Sequence, residues 1–173
     1  MSQWFMLALV GRDQAGIVAR ITQALYRGGA NLGEASMLRL GGNFSMMMMV
    51  SFDGDATAVQ GLVQSEAQAL GLTVHVDPIA GQLHRHMQSN MSVSVYGADR
   101  AGIVAGVTAA LADAGFHILN LESDVGGSNQ KPLYIMHIEG YCATAIEQVQ
   151  EALAGYAKDG IQLHVDPIQP MLG

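Results

Sequence analysis

Apolar residues follow two different periods along the chain. Between residues 17 and 25 they recur every three to four positions, as on one face of a helix, at Ile17, Val18, Ile21 and Leu25. Along residues 44 to 52 they recur at every second position, as in a strand, at Phe44, Met46, Met48, Val50 and Phe52. The first half of the chain therefore combines an amphipathic helix with strands.

The order of these segments predicts one domain architecture. The apolar run Trp4–Val10 comes before the helix, and two strands separated by Gly41 and Gly42 follow it as a hairpin. A second amphipathic helix then leads into the strand HVDPI at 75–79. The order β-α-β-β-α-β is that of α+β ferredoxin-like domains, in which an antiparallel sheet carries both helices on one face.

Two segments of this architecture occur again in the second half of the chain. GRDQAGIVAR at 11–20 returns in altered form as GADRAGIVAG at 97–106, 86 positions later. HVDPI returns at 164–168, 89 positions after its first copy, so the second copy has gained three residues. We expect these extra residues around the second helix of that copy. Tyr156 is expected to lie on the inward face of that helix.

A repeat of about 86 residues has the length of a whole domain rather than of a solenoid repeat. The chain is therefore expected to fold as two tandem domains, 1–79 and 91–173. The segment AGQLHRHMQSN, residues 80–90, is the predicted linker between them.

The strand at 43–52 is apolar on both faces at its centre, because Met47 and Met49 lie opposite the face that Met46 and Met48 share. The run Trp4–Val10 shows the same two-sided apolarity. We therefore expect the other domain or another subunit to cover the side of the sheet without helices, which makes a homodimer an expectation. Alternatively, the methionines only fill a core. This interpretation suits the inward pair, Met46 and Met48, equally well, and it suits Met47 and Met49 less well.

Composition excludes several classes of partner. The chain has 173 residues, 50% of them hydrophobic, with a formal net charge of −7 and no cluster of Lys and Arg that could neutralise phosphates. Direct nucleic-acid binding is therefore not expected. The single cysteine, Cys142, cannot form an internal disulfide or a cysteine-based zinc site, which favours a reducing compartment. No signal peptide or membrane span is predicted, so we expect a cytoplasmic protein without membrane contact.

No arrangement of residues predicts catalysis, a metal site or a cofactor. His75 and His164 occupy matching strands without a nucleophile motif beside them, and His84 and His86 flank an arginine in the polar linker without a third ligand. An acylphosphatase would need an arginine in its first loop, where Arg12 is available, but the surrounding residues do not match. An RNA-recognition module needs exposed aromatic residues and a basic surround, which this acidic chain lacks.

The repeated loop has two possible interpretations. In GRDQAGI the carboxylate of Asp13 can accept from the first free N–H groups of a helix, and Gly16 leaves room for a ligand. Such a helix start suits a small carboxylate, and its geometry could also hold a phosphate. Alternatively, the loop is only a capped helix start with a tight turn. The nucleotide-binding patterns GxxxxGK[ST] and GxGxxG are absent from the sequence.

DQAGIV followed by GGAN, and DRAGIV followed by AGFHI, resemble the D-x-x-G-I-V and G-x-N-I signatures of ACT domains. These are small modules that bind amino acids and regulate. The resemblance covers nearly all of the chain in two copies. A chain of two ACT domains of this length is similar to the family of glycine cleavage system transcriptional repressors, which act through a DNA-binding partner.

The resemblance implies ligand pockets between the strand-to-helix loop of one domain and the start of the second strand of another. The implied residues of the first pocket are Asp13, Gln14, Ala15, Gly16, Ile17 and Asn31. Those of the second are Asp99, Arg100, Ala101, Gly102, Ile103, His117 and Asn120. His117 stands where the first copy has Asn31, so the second pocket is expected to bind differently or not at all.

The resulting hypothesis is a non-enzymatic regulator without a cofactor. It responds to a small amino acid, with glycine as the first candidate, and modulates transcription of glycine cleavage genes by contacting a DNA-binding regulator rather than DNA. The alternative is a tandem ACT protein that binds no ligand and serves only as a protein–protein interaction module.

Overall fold

The computed structural model describes residues 2–80, 87–98, 101–128, 131–157 and 160–168. The chain divides into two compact units, Met1–His84 and Arg85–Gly173. This division falls inside the predicted linker, of which residues 81–86, including His84 and His86, lie outside the described residues. The limits 1–79, 80–90 and 91–173 stay a prediction.

The first unit has the predicted order of elements. Its sheet has the strand order β2-β3-β1-β4, and all neighbouring strands are antiparallel. The elements are β1 (Gln3–Arg12), α1 (Ile17–Arg27), β2 (Asn31–Leu40), β3 (Asn43–Phe52), α2 (Ala56–Ala69) and β4 (Thr73–Pro78).

The second unit repeats this topology with the strand order β6-β7-β5-β8. The α+β ferredoxin-like prediction is therefore confirmed for both units. The elements are β5 (Met91–Ala98), α3 (Ile103–Asp113), β6 (His117–Ser128), β7 (Lys131–Tyr141), α4 (Ile146–Leu153), a 3₁₀ turn (Ala154–Tyr156) and β8 (Gln162–Pro167).

The core of the first unit lies between the sheet and its two helices. Strands β1 and β3 alternate as predicted, with one face buried and Met47 and Met49 on the other. Phe52, at the end of the buried face, is partly buried against the core. The core residues of the four central elements are Phe5, Leu7, Leu9, Ile17, Ile21, Leu25, Phe44, Met46, Met48, Val50, Val59, Val63 and Ala67.

Glycines at the predicted turns adopt the left-handed conformation that they tolerate best. Gly41 and Gly42 have φ values of 57° and 76° and form the tight hairpin between β2 and β3. Gly29 has a φ of 83° just after α1, and its N–H donates to the carbonyl of Tyr26. The predicted hairpin turn is therefore confirmed, and a glycine also ends the first helix.

Two expectations about individual side chains, Val18 and Tyr156, are wrong. Val18 and its counterpart Val104 are 38% and 40% exposed, because the buried faces of α1 and α3 run through positions four residues apart, such as Ile17 and Ile21. Tyr156 is 39% exposed, because α4 ends at Leu153 and the chain continues as the 3₁₀ turn.

The extra residues of the second unit lie in its hairpin and not around its second helix. Strand pairing matches Ser36 with Glu122, 86 positions apart, but Ser45 with Ile135, 90 positions apart. The four gained residues lengthen β6 and β7 by two residues each at the hairpin end, and one residue is lost before β8. Gly126 lies within β6, opposite Leu133.

Asn90, at the end of the predicted linker, is bound to the second unit. Its side chain accepts from the N–H of Cys142 at 2.9 Å and donates to the carbonyl of the same residue at 2.8 Å. Its backbone N–H donates to the carbonyl of Gly140, and its carbonyl accepts from the N–H of Ile168. Among the described residues, no helix is long and apolar enough to cross a membrane.

Gly140 in β7 is expected to tolerate no side chain. An added Cβ would collide with the ring of Phe116 and with the carbonyl oxygen of His117, and a backbone oxygen cannot swing aside. Gly140→Ala should therefore lower the free energy of unfolding of the second unit by about 1–3 kcal/mol, as overpacking typically does. Thermal unfolding followed by far-UV circular dichroism measures this loss.

The matched control for Gly140 is Gly126 of the same sheet. A Cβ at Gly126 would have its nearest neighbour at 3.9 Å, in ordinary van der Waals contact. Gly126→Ala should leave the unfolding transition in place. Equal unfolding temperatures for the two variants would contradict the packing described at Gly140.

Candidate functional site

The loop between β1 and α1 is held from two sides. On one side, the N–H of Asp13 donates to the carbonyl of Gly42 in the β2–β3 hairpin at 3.0 Å. On the other side, the side-chain amide of Gln14 donates to the carbonyl of Leu70 at the end of α2, at 2.8 Å. The hairpin and the second helix therefore fix the loop in front of the first helix.

Gly16 turns the loop directly into the helix. Its φ of 89° is left-handed, and no side chain caps α1. The first helical hydrogen bond runs from the N–H of Arg20 to the carbonyl of Gly16 at 3.0 Å. The N–H groups of the first turn consequently have no partner within the helix, and they give this end of α1 a partial positive charge.

The predicted capping role of Asp13 is wrong. Its carboxylate pairs with the guanidinium of Arg39 on β2 and does not accept from the first turn of α1. Gln14, Ala15 and the left-handed Gly16 separate Asp13 from the helix, and its side chain extends across the loop towards the sheet. A side-chain cap does form at α2, where Asp55 accepts from the N–H of Ala58 at 2.8 Å.

A cavity of about 490 Å³ opens beside this helix start. One wall is the loop and the first turn of α1, and the other is formed by β2 and the start of β3. The side chain of Arg39 is 67% exposed and that of Asp13 only 20%. The lining residues are Asp13, Gln14, Ala15, Gly16, Ile17, Val18, Ala19, Met37, Arg39 and Phe44.

The charges around the cavity define what it can bind. It offers a guanidinium, a carboxylate and the positive end of a helix. A guanidinium and free helix N–H groups both suit a carboxylate group, whereas the Asp13 carboxylate suits an ammonium group. The site is therefore chemically matched to a small molecule that carries both groups.

The structure brings together five of the six residues predicted for the first pocket. Asp13 to Ile17 line the cavity, but Asn31 lies at the opposite end of the sheet. Asn31 pairs with Ser51, whereas Arg39 pairs with Phe44, about 26 Å away along β2. Within the first unit Asn31 therefore takes no part in the cavity. Its role in a pocket shared with another domain stays a prediction.

Arg39, Met37 and Phe44 were not predicted as site residues. They lie far from the loop in sequence and reach it only through the pairing of β2 with β3. The available signal was the strand period, which places residues 37 and 39 on the face of Phe44. A charged residue on a face that is otherwise apolar is a candidate for function.

The second copy of the loop differs in the residues that matter most. Gly102 has the same left-handed backbone, with φ of 90°, and α3 also begins without a side-chain cap. The position of Arg39, however, is occupied by Val125, and that of Phe44 by Tyr134. In the described part of the second sheet, an apolar side chain therefore stands where the first sheet has the guanidinium of Arg39.

The other residues predicted for the second pocket are only partly placed. Asp99 and Arg100 lie outside the described residues. Ala101, Gly102 and Ile103 form the start of α3, while His117 and Asn120 lie near the opposite end of the sheet. No group of three or more His, Cys, Asp or Glu in the described part of the chain is placed to hold a metal ion.

The two units share one βαββαβ topology, and each has a left-handed glycine just before its first helix. Residues 3–77 match the family model of the ACT domain. The UPF0237 protein YjhC of Lactococcus lactis is 35% identical over 83 residues, which span 46% of this chain and 95% of that relative. Residues 3–77 therefore form an ACT domain, and the chain belongs to the family of the UPF0237 proteins.

Two solved structures share the tandem arrangement over nearly the full length. An unknown protein from Galdieria sulphuraria has a TM-score of 0.82 at 26% identity, over 98% of this chain and 100% of its own. A protein described provisionally as a glycine cleavage system transcriptional repressor has a TM-score of 0.65 at 18% identity, over 98% of this chain and 99% of its own. The second likeness supports the fold alone. The chain is an ACT-domain regulatory protein.

The hydrogen bond of Gln14 gives a test of how the loop is held. Gln14→Ala should lower the free energy of unfolding of the first unit by about 1 kcal/mol, because one partly buried hydrogen bond is lost. Trp4, the only tryptophan, lies in this unit, so its fluorescence in a urea titration follows the transition. The control Gln23→Ala changes an exposed side chain of α1 and should not destabilise the unit. Equal transitions for both variants would show that the Gln14 bond contributes nothing.

Proposed function

We propose that the first unit binds a small amino acid in the cavity at the start of α1 and that this binding regulates a partner protein. The observation that carries the proposal is the convergence of Arg39, Asp13 and the uncapped start of α1 on one cavity. Membership of the ACT-domain family supports the same class of ligand.

A zwitterion satisfies both charges of the site at once. Its carboxylate pairs with the guanidinium of Arg39 and the N–H groups of the first helical turn, and its ammonium group pairs with Asp13. Neither Arg39 nor Asp13 is then left without an opposite charge, which would be costly in a partly enclosed site. Gly16 adds no side chain to the wall of the cavity, so the backbone stays accessible.

Glycine is our first candidate ligand, and transcription of glycine cleavage genes is the proposed process. The name of the structural neighbour supports this choice for that protein, and we extend it to this chain as a proposal. A formal net charge of −7 disfavours direct contact with DNA, so the partner is a DNA-binding regulator. The ligand changes the interaction by binding more tightly to one arrangement of the protein than to another.

Arg39 should be required for binding. We expect Arg39→Gln to weaken binding of glycine, serine or alanine by about 10- to 100-fold, because a charge-assisted contact to the ligand carboxylate is lost. Isothermal titration calorimetry of the full chain measures this change. Stability should fall by less than about 1 kcal/mol, because the Arg39–Asp13 pair is largely exposed on the arginine side.

The matched control for Arg39 is Arg20, which forms a surface ion pair elsewhere on the same unit. Its Nε lies 2.6 Å from Oε2 of Glu66, and Arg20 does not line the cavity. Arg20→Gln should leave the affinity unchanged. An equal loss of affinity in both variants would show that a general change of charge, and not the cavity, explains the effect.

Gly16 gives an independent test of the location. A Cβ at Gly16 would have nothing within 4 Å, so Gly16→Leu would project a bulky side chain from the wall of the cavity and should abolish binding. Its φ of 89° also costs a non-glycine residue about 1–2 kcal/mol. Gly29→Leu is the control, because Gly29 has a φ of 83° and open space but lies at the other end of α1. Calorimetry should show binding by the Gly29 variant only.

Failure of all small amino acids to bind the parent protein would favour the alternative function, a ligand-free interaction module. The exposed apolar side chains on the sheet of the first unit are the specific observation behind this alternative. The next experiment would then be a search for the regulator that the chain contacts.

A further inference from the structure

The first sheet has an exposed apolar side. We call it the outer face of the first sheet, meaning the side away from α1 and α2. It carries Val10, Leu38 and Met47, which are 53%, 59% and 54% exposed, and the partly buried Trp4, Met6 and Met49. Contiguous apolar side chains at this level of exposure are unusual on a surface that only water covers.

The same side of the second sheet carries Tyr96 and Ile135 but also ionisable side chains at its centre. Strand pairing gives the counterparts of Leu38, Met47 and Met49, and they are Asp124, His137 and Glu139. The ring of His137 lies between polar groups, with Nδ1 3.3 Å from the hydroxyl of Ser94 and Nε2 3.4 Å from Oε1 of Glu139. The fold therefore does not require an apolar outer face, and this property is specific to the first unit.

Charge is confined to the margin of the outer face of the first sheet. In the described strands β1 and β3, its positions from Trp4 to Val10 and from Ser45 to Ser51 carry no ionisable side chain. On the edge strand β4, His75 and Asp77 bind each other at 2.8 Å. Two copies of a chain with net charge −7 repel each other least where such a neutral surface meets its own copy.

The size of this face suits an interface. The apolar part of this face lies on β1, β2 and β3, three strands of ten residues that cover a projected area of about 480 Å². Two such faces together give about 950 Å² of projected area, compared with the ~1,200 Å² of accessible area at which stable specific interfaces begin. The accessible area buried would be larger than this projection, because the side chains stand out from the sheet.

We propose that two copies of this chain form a dimer through the outer faces of their first sheets. The contact is self-complementary, so that Met47 and its neighbours pack against the same residues of the second copy about a two-fold axis. Sheets packed face to face lie about 10 Å apart, which the apolar side chains of the two copies would fill. The outer face of the second sheet does not suit this contact, because its carboxylates would lose water without gaining partners.

Trp4 reports directly on this face. It is the only tryptophan of the chain and lies on the outer face of the first sheet, partly buried. Covering its ring removes water from around the indole, which moves its fluorescence emission to shorter wavelength. A dimer formed through any other surface would leave this emission unchanged.

The experiment uses the full chain over a dilution series, followed by sedimentation velocity and by Trp4 emission. The parent protein should sediment as a dimer, and its emission should move to longer wavelength as the dimer dissociates on dilution. Met47→Glu should be monomeric, because the two-fold axis brings two uncompensated carboxylates into the apolar contact. Val10→Lys tests the same face from the neighbouring strand and should have the same effect.

The matched control is His137→Glu, which places the same side chain at the counterpart position of the second sheet. It should remain a dimer. A monomeric parent protein would overturn the proposal. A dimer that both Met47→Glu and Val10→Lys leave intact would also overturn it. So would a dimer whose dissociation leaves the emission of Trp4 unchanged. Far-UV circular dichroism checks that each variant is folded.

The proposal is independent of amino-acid binding. Met47→Glu leaves Arg39, Asp13 and Gly16 unchanged, so calorimetry with glycine on this variant separates the two properties. Loss of the dimer with binding retained would support the interface without affecting the ligand site.

Discussion

The pairing of the two central strands, β1 with β3 in the first unit and β5 with β7 in the second, is the constraint on which the rest of each unit depends. In the first unit Leu7 pairs with Met48 and Ala8 with Met47. Because strand side chains alternate, this register sends Leu7 and Met48 into the core and Ala8 and Met47 to the opposite face. A shift of one residue would exchange the two faces completely. The position of the helices, the end of β1 at Arg12 and the loop that follows all depend on this register.

Local periodicity was sufficient to predict most of the fold. The repeats at 11–20 and 97–106, the alternation over 43–52 and the paired glycines of the hairpin gave the order and topology of the elements. It was not sufficient for Val18, because a neighbour of Ile17 can be apolar and still lie outside the buried face. Nor could it locate the length change between the copies, since a gain of four residues and a loss of one appear in the sequence only as a net gain of three.

The candidate site was predictable only in part, for a related reason. Asp13 to Ile17 are adjacent in sequence and carry a motif, so they could be found from the sequence. Arg39 reaches the same cavity through the pairing of two strands, and no local pattern connects residue 39 with residue 13. Asn31 illustrates the reverse situation, because it was expected in the pocket by resemblance but lies at the far end of the first sheet.

The two units have kept their backbone while their surfaces have diverged. Arg39 corresponds to Val125 and Met47 to His137, so charge and apolarity have changed places between the copies. The helix contacts have changed as well. Arg20 of α1 pairs with Glu66 of α2, whereas its counterpart Gly106 of α3 accommodates the ring of Tyr156. The first copy combines a charged cavity at its helix start with an apolar outer sheet face, whereas the second carries Val125 and His137 at the corresponding positions.

The bonds of Asn90 set a limit on how this protein can be divided for study. Asn90 comes directly before β5, the first strand of its sheet. Its side chain nevertheless binds the backbone N–H and carbonyl of Cys142, which directly follows β7. A fragment that begins at Met91 would contain every helix and strand of the second repeat and still leave those two backbone groups without their partner. An independently expressed second repeat therefore has to begin at or before Asn90, even though the strand pattern alone would allow a later start.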